Sequence, residues 1–248
     1  MSEQIQRVAV ITGGASGIGL GAARALAADG HKVALLDRVG VEEAVKELEA
    51  DGATVVGIEV DVTDRAGVER AFAQVRAELG PVGILVTSAG IESFQPLLEI
   101  TPESWDRIIS VNLTGTFTCV QAAVPDMLEA GWGRIVTISS QSAQSGAPNM
   151  AHYSASKGGV ISLTRALSVE LARQGITSNT IAPSVVDTPM ARHAMESGDF
   201  PGIDVIAPMI PLGRAGTPAD IAAGVRYLCA EDTYITGQIL AINGGMYI

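Results

Sequence analysis

Tyr153 and Lys157 stand four residues apart in Tyr153-Ser-Ala-Ser-Lys157, within a stretch of helical patterning. That spacing puts both side chains on one helical face. A phenol with a pKa of about 10 transfers protons poorly at neutral pH, and a neighbouring ammonium improves it by favouring the phenolate. A packed tyrosine beside an exposed lysine gives the same spacing, so the pair gains weight only from the rest of the chain. Near the N-terminus, Thr12-Gly13-Gly14-Ala15-Ser16-Gly17-Ile18-Gly19 follows an apolar run and opens a helical pattern. Glycines there allow a tight turn and let backbone N–H groups approach a pyrophosphate at the helix N-terminus. The expected contacts are Gly13, Ser16, Gly17, Ile18 and Gly19. Asp37 ends the next apolar run, where a carboxylate accepts bonds from ribose hydroxyls and repels a 2′-phosphate. The expected cofactor is NAD, although Arg38 is the residue type that serves a 2′-phosphate. Asp61 and Val62 close a third run and are placed for an adenine ring, with helix N-capping the alternative for Asp61.

These residues need elements to position them, and the chain supplies a regular alternation. Short Val/Ile-rich runs at 8–11, 33–36, 54–60, 84–87, 134–139, 178–182 and 238–242 read as buried parallel strands. Helical patterns lie between them near 17–29, 41–50, 65–79, 102–129, 153–173 and 218–229. Gly30, Gly52, Gly80 and Gly175 fall just past four of those helices, and Thr101-Pro102 and Thr217-Pro218 read as N-cap followed by N1 proline. The pattern predicts an α/β fold: a Rossmann-like doubly wound parallel sheet of about seven strands with helices on both faces. No linker or low-complexity stretch interrupts it, so residues 1–248 read as a single dinucleotide-binding and catalytic domain. The proline- and methionine-rich segment 183–217 breaks the rhythm and reads as a substrate-binding insertion; a packed excursion or an oligomer contact is the alternative.

Composition removes several classes of partner. Sixteen Lys+Arg against 27 Asp+Glu give a net charge of −11 in 248 residues, a poor match for nucleic acid or anionic lipid. No run of 18 residues is apolar without a charge or a helix breaker, so no membrane span is expected. Cys119 and Cys229 have no metal-ligand or disulfide-framework spacing, and the three histidines form no ligand pair, so no metal is expected. With no cationic–apolar leader at Met1, the chain reads as cytoplasmic.

Taken in order, these motifs resemble those of the short-chain dehydrogenase/reductase family, over essentially the whole chain. Thr12–Gly19 is similar to the family's T-G-x-x-x-G-x-G loop and Tyr153–Lys157 to its Y-x-x-x-K. The resemblance assigns the catalytic serine to Ser140, 13 residues before Tyr153, rather than to Ser139 or Ser142. It assigns the active-site asparagine to Asn112 and the nicotinamide-contacting threonine to Thr188. It also implies cofactor contacts at Ala89, Gly90, Pro183 and Val186. Two positions depart from the pattern: Ser88 replaces the asparagine of N-A-G, and Ser184 replaces the glycine of the usual Pro-Gly.

The implied reaction moves a hydride between nicotinamide and a carbon bearing oxygen. Tyr153 exchanges the proton with that oxygen, Lys157 lowers the phenol pKa and binds ribose, Ser140 positions the carbonyl, and Asn112 anchors a relay water. Gln141, Gln144, Val185, Met190 and Met195, with Ser140 and Tyr153, are the expected substrate contacts. Ile91, Gly146 and Phe200 are further candidates for the lining, most of which is apolar, and that suggests a hydrophobic secondary alcohol or ketone. A 3-oxoacyl reductase acting on acyl carrier protein or CoA is the alternative, and a cofactor-binding regulatory protein is disfavoured by the complete Ser–Tyr–Lys set. His152 is a candidate substrate contact or a packed residue, and His31 is expected to be exposed. The family implies a homotetramer, with Ile108, Leu113, Val120, Val124 and the C-terminal tail consistent with its contacts.

Overall fold

The computed structural model describes residues 5–248. Seven parallel strands form one sheet in the order β3-β2-β1-β4-β5-β6-β7. They are β1 (Val8–Thr12), β2 (Lys32–Asp37), β3 (Val55–Glu59), β4 (Val82–Thr87), β5 (Gly133–Ile138), β6 (Ile176–Ile181) and β7 (Ile239–Leu240). The chain winds outward from β1 to β3, then returns to β4 beside β1 and winds the other way. The reversal opens a crevice beyond the C-terminal ends of β1 and β4, where doubly wound sheets bind ligands.

Helices cover both faces, which is why the central strands read as unbroken apolar runs. In β1, Val8 and Val10 pack with Phe72, Cys119 and Met127 on one face, whereas Ala9 and Ile11 pack with Leu26, Leu48 and Val225 on the other. The first face carries α3 (Arg65–Glu78), α5 (Gly115–Ala130) and α7 (Ala151–Leu171). The second carries α1 (Gly17–Ala28), α2 (Val41–Ala50) and α10 (Pro218–Cys229). The edge strand β7 has only β6 beside it and is limited to two residues, shorter than the 238–242 expected.

Local chemistry sets the helix ends as the sequence predicts. The Thr101 hydroxyl accepts from the Ser104 N–H, Thr217 and Asp220 form a reciprocal capping box, and Gly30, Gly52, Gly80 and Gly175 all take positive φ. The helix expected over 102–129 is instead two helices, α4 (Pro102–Ile109) and α5, joined by a π-helical turn at Ser110–Thr114. The whole rod, Pro102–Ala130, is long and apolar enough to cross a membrane by length and composition. Its Cys119, Val120, Ala123 and Met127 are nevertheless buried against the sheet. Ile108 and Val120 are likewise core residues, which removes them from the stripe expected at a subunit contact.

Segment 183–217 folds into α8 (Pro189–Glu196), with Thr188 as its N-cap, and the short α9 (Ile203–Ile206). It lies over the crevice, where Phe200 meets Phe94 of the loop after β4 with ring centroids 5.7 Å apart. His31 is buried, not exposed: Arg7 crosses over the α1–β2 turn, and its N–H donates to His31 Nδ1 at 3.2 Å. Trp132 lies between the guanidinium groups of Arg7 and Arg134, at 4.1 and 4.2 Å from its ring. Both cysteines are buried, which pushes each thiol up to about 12 and leaves them unreactive.

Candidate active site

A cavity of about 870 Å³ runs along the crevice from Asp37 to Met209. Its first half is built on the turn after β1. Gly13 has φ of +64°, and a Cβ there would meet Ala89 N at 2.8 Å; one at Gly19 would meet Gly13 O at 2.0 Å. Only glycine fits either place, and the result is a bare backbone cradle at the start of α1. The cradle fits a dinucleotide pyrophosphate, and Gly13, Ser16, Gly17 and Ile18 line the cavity there. Gly19 does not line it, because its role is to let the loop close on itself.

At the far end of the cradle the Asp37 carboxylate accepts from the Ala15 N–H at 3.0 Å and the Arg38 N–H at 2.7 Å. The Arg38 guanidinium turns toward Asp61, with Nε 3.7 Å from its carboxylate. Asp61 also accepts from the N–H and hydroxyl of Thr63, and Asp64, not Asp61, stands at the N-cap position of α3. Burial pushes the Asp61 carboxyl up, but the two Thr63 bonds and Arg38 outweigh it and hold the group below its ordinary range. Val62, Ala89, Gly90, Pro183, Val186 and Thr188 complete this half of the wall. Thr188 packs within 3.3 Å of where a Cβ would sit on Gly17, so the insertion rests directly on the phosphate loop. Of the two departures, Ser184 ties the wall to the C-terminal segment by donating to the Asn243 carbonyl at 2.9 Å, and Ser88 lines the cavity.

The second half holds the reactive side chains. Ser140 follows β5, and its Oγ accepts from the Ser142 N–H at 3.1 Å and the Ser142 hydroxyl at 2.9 Å. Ser139 is committed elsewhere, donating to the Lys157 carbonyl at 2.9 Å. Tyr153 and Lys157 share one face of the first turns of α7, as their spacing predicts. Burial pushes the Tyr153 phenol up, the nearby Glu92 carboxylate adds to this, and a hydrogen bond with Ser140 opposes both. Burial pushes the Lys157 ammonium down to about 8. Lys157 Nζ donates to the Ile138 carbonyl at 2.9 Å and lies 5.9 Å from the Tyr153 ring centroid. The lowering of the Tyr153 pKa expected from Lys157 is therefore not a feature of this arrangement, because the amine is turned to the end of β5.

Asn112 sits in the π turn, a local distortion common at functional sites. It is fully buried and bonded on every side: Oδ1 accepts from the Ile91 N–H at 2.9 Å, and Nδ2 donates to the Ile91 carbonyl and to Ser156 Oγ, both at 3.0 Å. A Cβ on Gly90 would lie 3.2 Å from Asn112 Oδ1 and 3.3 Å from Lys157 Nζ, so the three residues converge. The side chain acts here as a clamp on the loop after β4 rather than as a free anchor.

Among the expected substrate contacts, Gln141, Val185 and Met190 line the cavity with Ser140 and Tyr153. Gln144 and Met195 do not, and neither does His152, which is completely buried with no partner for either ring nitrogen among the described residues. Glu92, Phe94, Met150 and Met246 line the wall from outside the expected contacts, and Met209 lines it from within the expected insertion. The only advance signal for Glu92 and Phe94 was their position directly after Ala89-Gly90-Ile91.

Residues 13–247 match a family model described as enoyl-(acyl carrier protein) reductase. The chain belongs to the short-chain dehydrogenase/reductase family. It is 39% identical over 245 residues to the 3-oxoacyl-[acyl-carrier-protein] reductase MabA of Mycobacterium tuberculosis, covering 98% of this chain and 93% of that one. It is 40% identical to the acetoacetyl-CoA reductase of Rhizobium meliloti, covering 98% and 99%. A solved variant of the actinorhodin polyketide ketoreductase with NADPH superposes with a TM-score of 0.94 at 37% identity, covering 99% of both chains. The chain is an oxidoreductase of this family, and the relatives named above are reductases of ketone groups.

Proposed function

We propose that this short-chain dehydrogenase/reductase is NAD(H)-dependent and interconverts a largely hydrophobic secondary alcohol and its ketone. The observation that carries the cofactor choice is Asp37, whose carboxylate stands at the rim of the glycine cradle while Arg38 turns away to Asp61. Its remaining lone pairs suit ribose hydroxyls, and its charge opposes a 2′-phosphate. Bound NAD supplies the hydride acceptor, and NADH the donor. Tyr153 moves the proton at its hydroxyl, as base in oxidation and acid in reduction. Ser140 donates to the substrate oxygen, and Lys157 holds ribose hydroxyls and favours the phenolate once its amine faces them. Asn112 fixes the loop that carries Ile91, and the second lone pair of its Oδ1 is the place left for the relay water. The apolar wall, with the Phe94–Phe200 contact closing it, supports a hydrophobic substrate.

A second reading, reduction of a 3-oxoacyl thioester, is supported by the names of MabA and the acetoacetyl-CoA reductase. The ketoreductase structure with NADPH likewise favours NADP(H). Assaying NAD and NADP with hydrophobic alcohols, and NADH and NADPH with a 3-oxoacyl thioester, separates the readings. At least about tenfold higher kcat/KM with NAD is expected; preferential turnover of the thioester with NADPH would sink the first reading. We also infer a cytoplasmic homotetramer with no nucleic-acid or membrane partner. Exposed Trp105, Phe117 and Val169 on α4, α5 and α7, with Tyr247 and Ile248 at the tail, support the contacts. The two free cysteines and the acidic charge support the rest.

A further inference from the structure

Three carboxylates line the cavity, and two of them have donors. Asp37 accepts from two backbone N–H groups, and Asp61 accepts from Thr63 and faces Arg38. Glu92 is different. Among the described residues its side chain makes no hydrogen bond and no ion pair: its Oε1 is closed off from solvent with no partner, and its Oε2 is the oxygen left open to the cavity. Leaving a buried acceptor without a donor is destabilising. The placement is not slack: the neighbouring Ile91 is held on both its N–H and its carbonyl by Asn112, which is itself held by Ser156. Two residues further, Phe94 is packed on Phe200. A rigid loop therefore holds an unpaired carboxyl at the substrate end of the cavity, close enough to act on the Tyr153 phenol.

We propose that Glu92 recognises a free hydroxyl on the substrate, so that the preferred substrates are hydroxyketones and diols on an otherwise apolar skeleton. The inference rests on the oxidoreductase reading above and names its substrate class. A plain ketone or a 3-oxoacyl thioester presents only acceptors near the reacting carbon and leaves Glu92 unpaired. A hydroxyl supplies a donor to the cavity-facing Oε2, and so to the carboxyl as a whole, without burying a second charge, which an ammonium would do among apolar walls. The same bond also draws charge from the carboxylate that opposes the Tyr153 phenolate, so it acts on turnover as well as on binding. Burial raises the Glu92 carboxyl above its ordinary range and His193 opposes this, in keeping with a group lacking its partner.

Two matched pairs test this with NADH: acetoin against butanone, and benzoin against deoxybenzoin. The wild type is expected to favour the hydroxyketone of at least one pair by about tenfold or more in kcat/KM. In Glu92→Leu that ratio falls to about one, and in Glu92→Gln, whose amide oxygen still accepts, part of it remains. Glu92→Leu also melts at or above the wild-type temperature, since it removes an unpaired buried carboxyl. No preference in the wild type, an unchanged ratio in Glu92→Leu, or a lower melting temperature with both ketones losing equally would overturn the proposal. If NADH binds by fluorescence yet no ketone is reduced, the oxidoreductase reading fails and the proposal falls with it.

Discussion

Ser142 holds Ser140 twice, with its backbone N–H 3.1 Å and its hydroxyl 2.9 Å from Ser140 Oγ. Both lone pairs of that oxygen are engaged, which leaves the Ser140 O–H as its one donor, shared between the Tyr153 oxygen and the substrate oxygen. Ser142→Ala removes one of the two bonds and frees the Ser140 rotor. It is expected to lower kcat about tenfold with little change in KM, whereas Ser142→Thr keeps most of the activity. Steady-state kinetics on the three proteins decides it; a Ser142→Ala enzyme with wild-type kcat would contradict the role.

Asp37 and Arg38 point in different directions, and that divergence predicts cofactor choice. Asp37→Ser removes the charge opposing a 2′-phosphate and lets Arg38 turn back from Asp61 toward one. The ratio of kcat/KM for NAD over NADP is expected to fall by about tenfold to a hundredfold. Measuring the ratio, rather than either rate, cancels any loosening of the loop when the Ala15 N–H loses its acceptor. A ratio unmoved by the substitution would contradict the assignment.

Lys157 carries a cost that is visible against pH. Its folded pKa is about 8 against an ordinary 10.5. Below pH 8 both folded and unfolded chains hold the proton, and the fold bears the full burden, about 3 kcal/mol, of a buried ammonium. Between 8 and 10.5 the unfolded chain holds more protons, so this contribution to stability rises with pH. Lys157→Met is expected to melt above wild type at pH 7, less about 1 kcal/mol for the lost bond to Ile138. Its advantage shrinks as pH rises from 8 to 10, while turnover is lost throughout. Melting curves of both proteins across that range test the sign, and an advantage that grows with pH would refute it.

Asp126 on α5 accepts from Arg76 Nε at 2.8 and 2.9 Å and from the Val82 N–H at 2.8 Å, joining α3, α5 and the start of β4. Its side chain is mostly buried while that of Arg76 is partly exposed, so the strand N–H suffers most from its removal. Asp126→Ala is expected to cost about 2–3 kcal/mol, a fall in Tm of about 5–10 °C, with kcat per folded molecule unchanged. Calorimetry checks it.

Much of the site was legible because its signals are local. The Tyr153–Lys157 spacing, the glycines of the β1–α1 turn and the Thr-Pro helix starts are each set by a few consecutive residues. What escaped depends on helical phase and on tertiary packing. Met190 lines the cavity and Met195 does not, because five residues along α8 turn the side chain about 140° away. Gln144 is about 100° round α6 (Ser142–Ser145) from Ser145, which does line it. Glu92, Met150 and Met246 come from three distant segments that meet only in the folded chain. Nothing in Ser110-Val-Asn-Leu-Thr114 separates a π turn from an α-helix by pattern, and His31 became buried because Arg7 crosses it.

The central claim is that Tyr153 handles the proton while the glycine cradle and Asp37 hold NAD(H). Tyr153→Phe keeps the ring and removes only the hydroxyl. NADH binding by fluorescence, paired with ketone reduction by the same protein, tests the claim most directly. Binding within about twofold of wild type and turnover lower by about a hundredfold to ten-thousandfold are predicted. A Tyr153→Phe enzyme that still reduces ketones at a wild-type rate would contradict the account.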